Sequence, residues 1–211
     1  MPNTLFHLQF PAPEAPKEFS WDTLFESVDG FYKQDWLAAG FYVNESNLWL
    51  YTAATLNSRE LIFKSPLYTN PVLTWLKKRT LKTSIRAVQN TGGSSRFIVQ
   101  TGAWDSNCGF GFNILSNKIY GMSGNGTTLS SIELETIPAG AFDITRRLEA
   151  IWNYPTNIEF YVDDVLKGTK TTHLPTGVGG APVLLRAEAW ALSAHVCELY
   201  ISKYRITQAE L

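Results

Sequence analysis

Three side chains at alternate positions, Arg186, Glu188 and Trp190, set a guanidinium and a carboxylate beside an indole within the run 183–190. In an extended chain, residues two apart point the same way. Arg186, Glu188 and Trp190 therefore share one face, while Leu185, Ala187 and Ala189 share the other. A face of this kind offers charged hydrogen-bonding groups next to a ring on which a sugar can stack. The same alternation sets Arg147, Glu149 and Asn153 opposite Leu148, Ala150 and Trp152. It sets Arg86 opposite Ile85 and Ala87, and puts Arg96, Ile98 and Gln100 on one side with Phe97 and Val99 on the other. If these polar rows line one concave sheet, Arg86, Gln100, Glu149, Arg186, Glu188 and Trp190 form a groove fit for a glycan. The spacing equally describes cross-strand ion pairs on a solvated sheet, which contribute little to stability.

Catalysis is the alternative use of these residues, with Glu149 and Glu188 as the acid and base of a glycoside hydrolase or polysaccharide lyase. His195, close to Trp190, is the available lyase base. A second acidic pair, Glu133 and Glu135, is also expected to share a strand face, within reach of the ~5–5.5 Å that retaining hydrolysis needs. With Pro138 close behind and no third acid, that segment reads as a solvated edge. There is no Gly-x-Ser-x-Gly elbow, no phosphate-cradling glycine loop and no His-Glu-x-x-His. No catalytic residue is assigned outright and no cofactor is implied. Cys108, Cys197 and three histidines (His7, His173, His195) do not make a metal-ligand pattern. The two cysteines read as reduced core thiols, with a bridge between neighbouring strands as the other option.

The elements that must carry these residues are short strands. Runs 38–43, 48–51, 60–64, 81–89, 96–103, 109–115, 118–122, 129–134, 145–153, 157–162, 165–169, 183–190 and 194–207 are apolar or alternating, and turn-forming residues separate them. Asp163-Asp164 is the sharpest hairpin signal, because aspartate tolerates the positive φ of a two-residue turn. The glycine-rich stretch 121–126 reads as another turn. One helical turn is expected from Ser20, as cap, through Phe25, and 72–78 reads as a single turn or a loop. Many strands at this spacing without helical periodicity specify an all-β protein of antiparallel sheets stacked as a sandwich. Residues 1–19, with Pro11, Pro13 and Pro16 after Leu5–Phe10, form an extended arm suited to docking on a neighbouring subunit; residues 20–211 form the sandwich domain.

Composition narrows the partners. The 211 residues are 45% hydrophobic and 18% charged, enough to bury a core, and the formal net charge of -1 with scattered basic residues does not suit nucleic acid. No apolar run approaches the ~20 residues that span a bilayer, and the first residues lack a signal-peptide pattern. A cytoplasmic or virion-associated location is the expectation. Asn44-Glu45-Ser46 and Asn125-Gly126-Thr127 then read as accidental matches to the glycosylation acceptor pattern. Seven Trp, nine Tyr and twelve Phe suit both strand cores and sugar-stacking surfaces.

The segment Arg147-Leu148-Glu149-Ala150-Ile151-Trp152, followed by Ile158-Glu159-Phe160-Tyr161-Val162-Asp163-Asp164-Val165-Leu166, resembles the concanavalin A-like lectin/glucanase superfamily and its laminin G-like domains. Asp164 stands where those domains usually carry glycine. Asn47-Leu48-Trp49-Leu50 and Leu61-Ile62-Phe63-Lys64 are similar to their early strands, and Cys197–Ile206 to their closing strand. The resemblance spans about 20–208 and carries the fold, implying an antiparallel two-sheet jelly-roll sandwich. Glycosidases of this fold place acids as Glu-x-Asp-x-Glu; Glu133-Leu134-Glu135 is the nearest match and lacks the middle aspartate. The resemblance thus implies a non-enzymatic glycan-binding or structural, adhesive module. Its expected partners are a glycan or other protein subunits, as in a virion or other surface assembly, with homo-oligomers forming through the arm.

Overall fold

The computed structural model describes residues 18–23, 31–37, 39–44, 47–64, 76, 78–89, 93–101, 107–138, 143–176, 182–194 and 196–209. The arm up to residue 17, most of 72–78 and His195 lie outside them.

The described chain forms strands throughout: β1 (Glu18–Thr23), β2 (Phe31–Trp36), β3 (Gly40–Asn44), β4 (Asn47–Tyr51), β5 (Arg59–Lys64), β6 (Arg79–Gln89), β7 (Gly93–Thr101) and β8 (Asn107–Leu115). After these come β9 (Lys118–Gly126), β10 (Leu129–Thr136), β11 (Asp143–Asn153), β12 (Asn157–Val162), β13 (Val165–Lys170), β14 (Pro182–Ala191) and β15 (Cys197–Ala209). They build two antiparallel sheets. The first runs β13-β12-β11-β6-β15-β4-β3, with β1 also on β15, and the second runs β10-β9-β8-β7-β14-β5-β2.

The expected helical turn at Ser20 is a strand instead. Residues 18–23 pair with 204–209 of β15, along an edge that β4, paired at 198–201, leaves open. Satisfying that edge of backbone groups outweighs a capping propensity. No strand is expected over β2, and the expected turn at 121–126 holds only at its end: Gly121 and Gly124 lie inside β9, while Gly126, at φ 97°, takes part in the reversal. A Cβ on Gly121 would stand 2.7 Å from the Phe160 ring, so the strand needs glycine for close approach rather than for reversal. The chain reverses at Gly126-Thr127, between Asn125 and Thr128: Gly126 takes a φ of 97°, and the amides of Thr127 and Thr128 both donate to Asn125 Oδ1, at 3.0 and 2.9 Å.

Alternation places the core. Leu81, Ile85 and Ala87 of β6, Leu148, Ala150 and Trp152 of β11, Phe160 of β12 and Leu199 of β15 meet Phe110, Phe112 and Ile114 of β8 and Ala187 and Ala189 of β14. Phe112 and Phe160 join the sheets edge to face, with ring centroids 5.6 Å apart. A register shift between Ile201 and Lys203 lets Ile201 and Tyr204 of β15 both point inward. At the seam between β10 and β13, Lys170 Nζ donates to Ser130 Oγ at 2.8 Å. Both cysteines are free and buried: Cys108 Sγ donates to Thr176 O, and Cys197 Sγ lies 3.4 Å from Ser95 Oγ.

Candidate functional site: the outward face of the second sheet

Register assembles the face row by row. Glu133, Tyr120, Asn113, Arg96 and Glu188 are successive Cα partners across β10, β9, β8, β7 and β14. The next row holds Lys118, Leu115, Ser94, Trp190 and Arg59, and a third holds Ser131, Met122, Gly111 and Arg186. These positions point away from the core because Ala187, Ala189, Phe110, Phe112 and Ile119, their strand neighbours, point into it.

Glu188 is the hub. Arg59 Nε donates to its Oε1 at 2.8 Å, and Arg186 Nη2 lies 3.6 Å from its Oε2. The Arg59 guanidinium also sits 5.4 Å from the centroid of the Trp190 ring, in cation–π range. Ser94 Oγ donates to Asn113 Oδ1 at 3.0 Å, which orients the amide. Although they face outward, Arg186 and Glu188 are only 6% and 3% exposed. The solvated-sheet expectation fails for them. A sheltered ion pair costs desolvation that an exposed one avoids, so the cluster is dear to keep.

The structure brings Arg186, Glu188 and Trp190 together and sets Gln100 on β7 of the same sheet, opposite Gly109. It does not bring Arg86 and Glu149 to them. Both belong to the first sheet, on its own outward face: Glu149 Oε1 lies 3.1 Å from Lys82 Nζ, and Arg86 caps the Tyr200 ring at 5.3 Å. Sheets stack ~10 Å apart, so carboxyls pointing outward from opposite sheets stand beyond the ~5–9.5 Å over which two acids can flank one glycosidic bond. Glu149 and Glu188 are therefore not an acid/base pair.

Glu133 and Glu135 part company as well. A register shift between them pairs Glu133 with Tyr120 on the outward face and Glu135 with buried Ile119 on the inward one. Each is engaged separately. Lys118 Nζ donates to Glu133 Oε2 at 2.6 Å and Thr136 adds a second bond, which together hold the Glu133 carboxyl below its usual range. Glu135 accepts from Arg146 Nε at 3.2 Å.

Arg59, Arg96, Asn113 and Tyr120 of this face were not singled out together by spacing. Arg59 is 129 residues from Glu188, so only sheet pairing reveals their contact. On the first sheet, Trp49 and Tyr200 stack at 5.1 Å and 11°, with Arg86 on the other side of Tyr200. Those ring faces are spent on one another. Among the described residues, Trp190 has Arg59 on one face and no ring or second cation set against the other.

No family model and no curated protein matches the chain. Solved structures do match its fold. One is a protein of unknown function from Shewanella oneidensis MR-1, at 9% identity and a TM-score of 0.56, covering 95% of this chain and 90% of the other. Another is the carbohydrate recognition domain of Emp46p in its potassium-bound form, at 13% identity and a TM-score of 0.55, over 87% and 93%. A third is botulinum neurotoxin type C, which depends on interaction with two ganglioside molecules to enter cells, at 11% identity and a TM-score of 0.55. It is matched over 83% of this chain but 42% of its own, so this chain spans less than half of that toxin structure. At these identities the likeness establishes the fold alone: an antiparallel two-sheet jelly-roll sandwich.

Proposed function

We propose that this chain is a non-enzymatic glycan-binding module and that the outward face of its second sheet is the binding surface. The observation that carries the reading is the Arg59–Glu188–Arg186 cluster beside Trp190. It combines fixed charged hydrogen-bonding groups with a half-buried indole that, among the described residues, carries no ring or second cation beyond Arg59, which suits a sugar ring, polar at its rim and apolar on its flat sides. The carbohydrate recognition domain among the fold's neighbours supports the same reading. Catalysis has no comparable support, since the acids considered for it lie on opposite sheets or opposite faces.

The test is a glycan array probed with the parent chain and with Trp190→Ala. Binding by the parent, weakened tenfold or more in a variant that remains folded, is expected. A parent that retains no glycan, or a variant that binds as the parent does, removes the proposal.

A further inference from the structure

On the sheet face assigned above, one cation differs from the others. Arg59 and Arg186 both lean on Glu188. Arg96 is the direct strand partner of Glu188, yet among the described residues no carboxylate lies within ion-pairing distance of it, and its Nε is buried without a hydrogen-bond acceptor. Its partner on the other side, Asn113, has its Oδ1 engaged by Ser94 Oγ, which leaves the amide nitrogen as the group's donor end. Tyr120 follows in the same row. Arg96 and Asn113 thus set N–H donors side by side on a half-buried face where, among the described residues, no acidic group pairs with them. A guanidinium prefers a planar oxyanion, which it grips through two parallel N–H bonds, and partial burial strengthens that bond.

We propose that the ligand is an acidic glycan and that Arg96, flanked by the Asn113 amide, receives its carboxylate or sulfate group. The inference rests on the glycan-binding reading and narrows it to a substrate class: the sugar ring lies toward Trp190 while the acid group lies toward Asn113. Arg96 is the specificity determinant.

The experiment uses the full chain against oligosaccharides presented in matched sets: neutral, carboxylated on the terminal sugar, and sulfated on the terminal sugar. Binding to an acidic member about tenfold or more above its neutral counterpart is expected, since one charge-assisted contact is of that size. Which acidic arm is preferred tells carboxylate from sulfate. The preference should shrink as salt rises. Arg96→Gln should abolish the preference, bringing each acidic member down to the level of its neutral counterpart, and Arg96→Lys should keep only part of it, because an ammonium cannot grip bidentately. Arg86→Gln, on the other sheet, should change nothing. Equal binding of neutral and acidic members by the parent, or a preference that survives in Arg96→Gln, overturns the inference and leaves the glycan-binding reading standing. No binding to any member overturns both. If Arg96→Gln fails to fold, the salt dependence of the parent and the Arg96→Lys comparison decide the matter.

Discussion

Glu188 is held from two sides and only 3% exposed, so its removal takes a sheltered carboxylate away from two guanidiniums that contact it. Losing hydrogen bonds to a charged group costs more than losing neutral ones. Glu188→Ala is therefore expected to lower unfolding free energy by about 2–4 kcal/mol, whereas Glu149→Ala, whose partner Lys82 is largely solvated, should cost under about 1 kcal/mol. Urea titration of both variants checks the contrast, and equal costs would contradict it. At this scale the sequence was partly readable. Arg186, Glu188 and Trp190 could be grouped because they sit two apart on one strand. Arg59 could not, because its partnership with Glu188 exists only through the pairing of β5 with β14. Arg86 and Glu149 were grouped with them wrongly, since alternation says which residues share a face of a strand and is silent on which sheet the strand joins.

At the scale of elements, the hairpin between β12 and β13 is the clearest case of local sequence deciding local structure. Asp163 and Asp164 take φ of 49° and 66°, the two left-handed residues of a tight reversal. Asp163 is committed there, accepting from the Arg147 amide through Oδ1 at 2.9 Å. Asp164 contributes only an exposed pairing with Arg147. Glycine takes a positive φ without the steric penalty that a Cβ brings. Asp164→Gly is accordingly expected to raise stability by about 0.5–1 kcal/mol, measurable as a higher Tm; a lower Tm would show the exposed ion pair to matter more than the backbone. Bulges were the unreadable part. The extra residue between Glu133 and Glu135, and the shift near Ser202, reverse which side chains face inward without leaving a mark in composition. The glycines of β9 misled for a related reason: glycine in a strand can mean a turn or a neighbour that comes too close, and only Phe160 on the opposite sheet distinguishes them.

For the molecule as a whole, two buried acids of the interior set an alkaline limit. Burial holds the Tyr204 phenol well above its ordinary 10.0, and burial likewise pushes the Cys197 thiol above 9.0, partly offset by its bond with Ser95. Both groups keep their protons in the fold at pH values where the unfolded chain releases them. Their contribution is fully present below pH 9 and is lost as pH rises through the window above 9.0 for Cys197 and above 10.0 for Tyr204. Tyr204→Phe should remove one proton's worth of that loss, a slope shallower by about 1.4 kcal/mol per pH unit above pH 10. Denaturant titrations between pH 8 and 11 measure it, and an unchanged slope would mean that the phenol ionises in the fold. The overall architecture was the most readable level, because strand patterning and turn residues recur along the whole chain and errors in one element do not propagate to the next.

The assignment of function to one face of one sheet is tested most directly by hydrogen exchange of the backbone amides with and without the best-bound glycan from the array. Slowed exchange is expected on β7, β8 and β14, the strands that carry Arg96, Asn113 and Trp190, with β6 and β11 unchanged. Protection on β6 and β11, the strands of Arg86 and Glu149, with none on β14, would place the ligand on the opposite sheet and contradict the assignment.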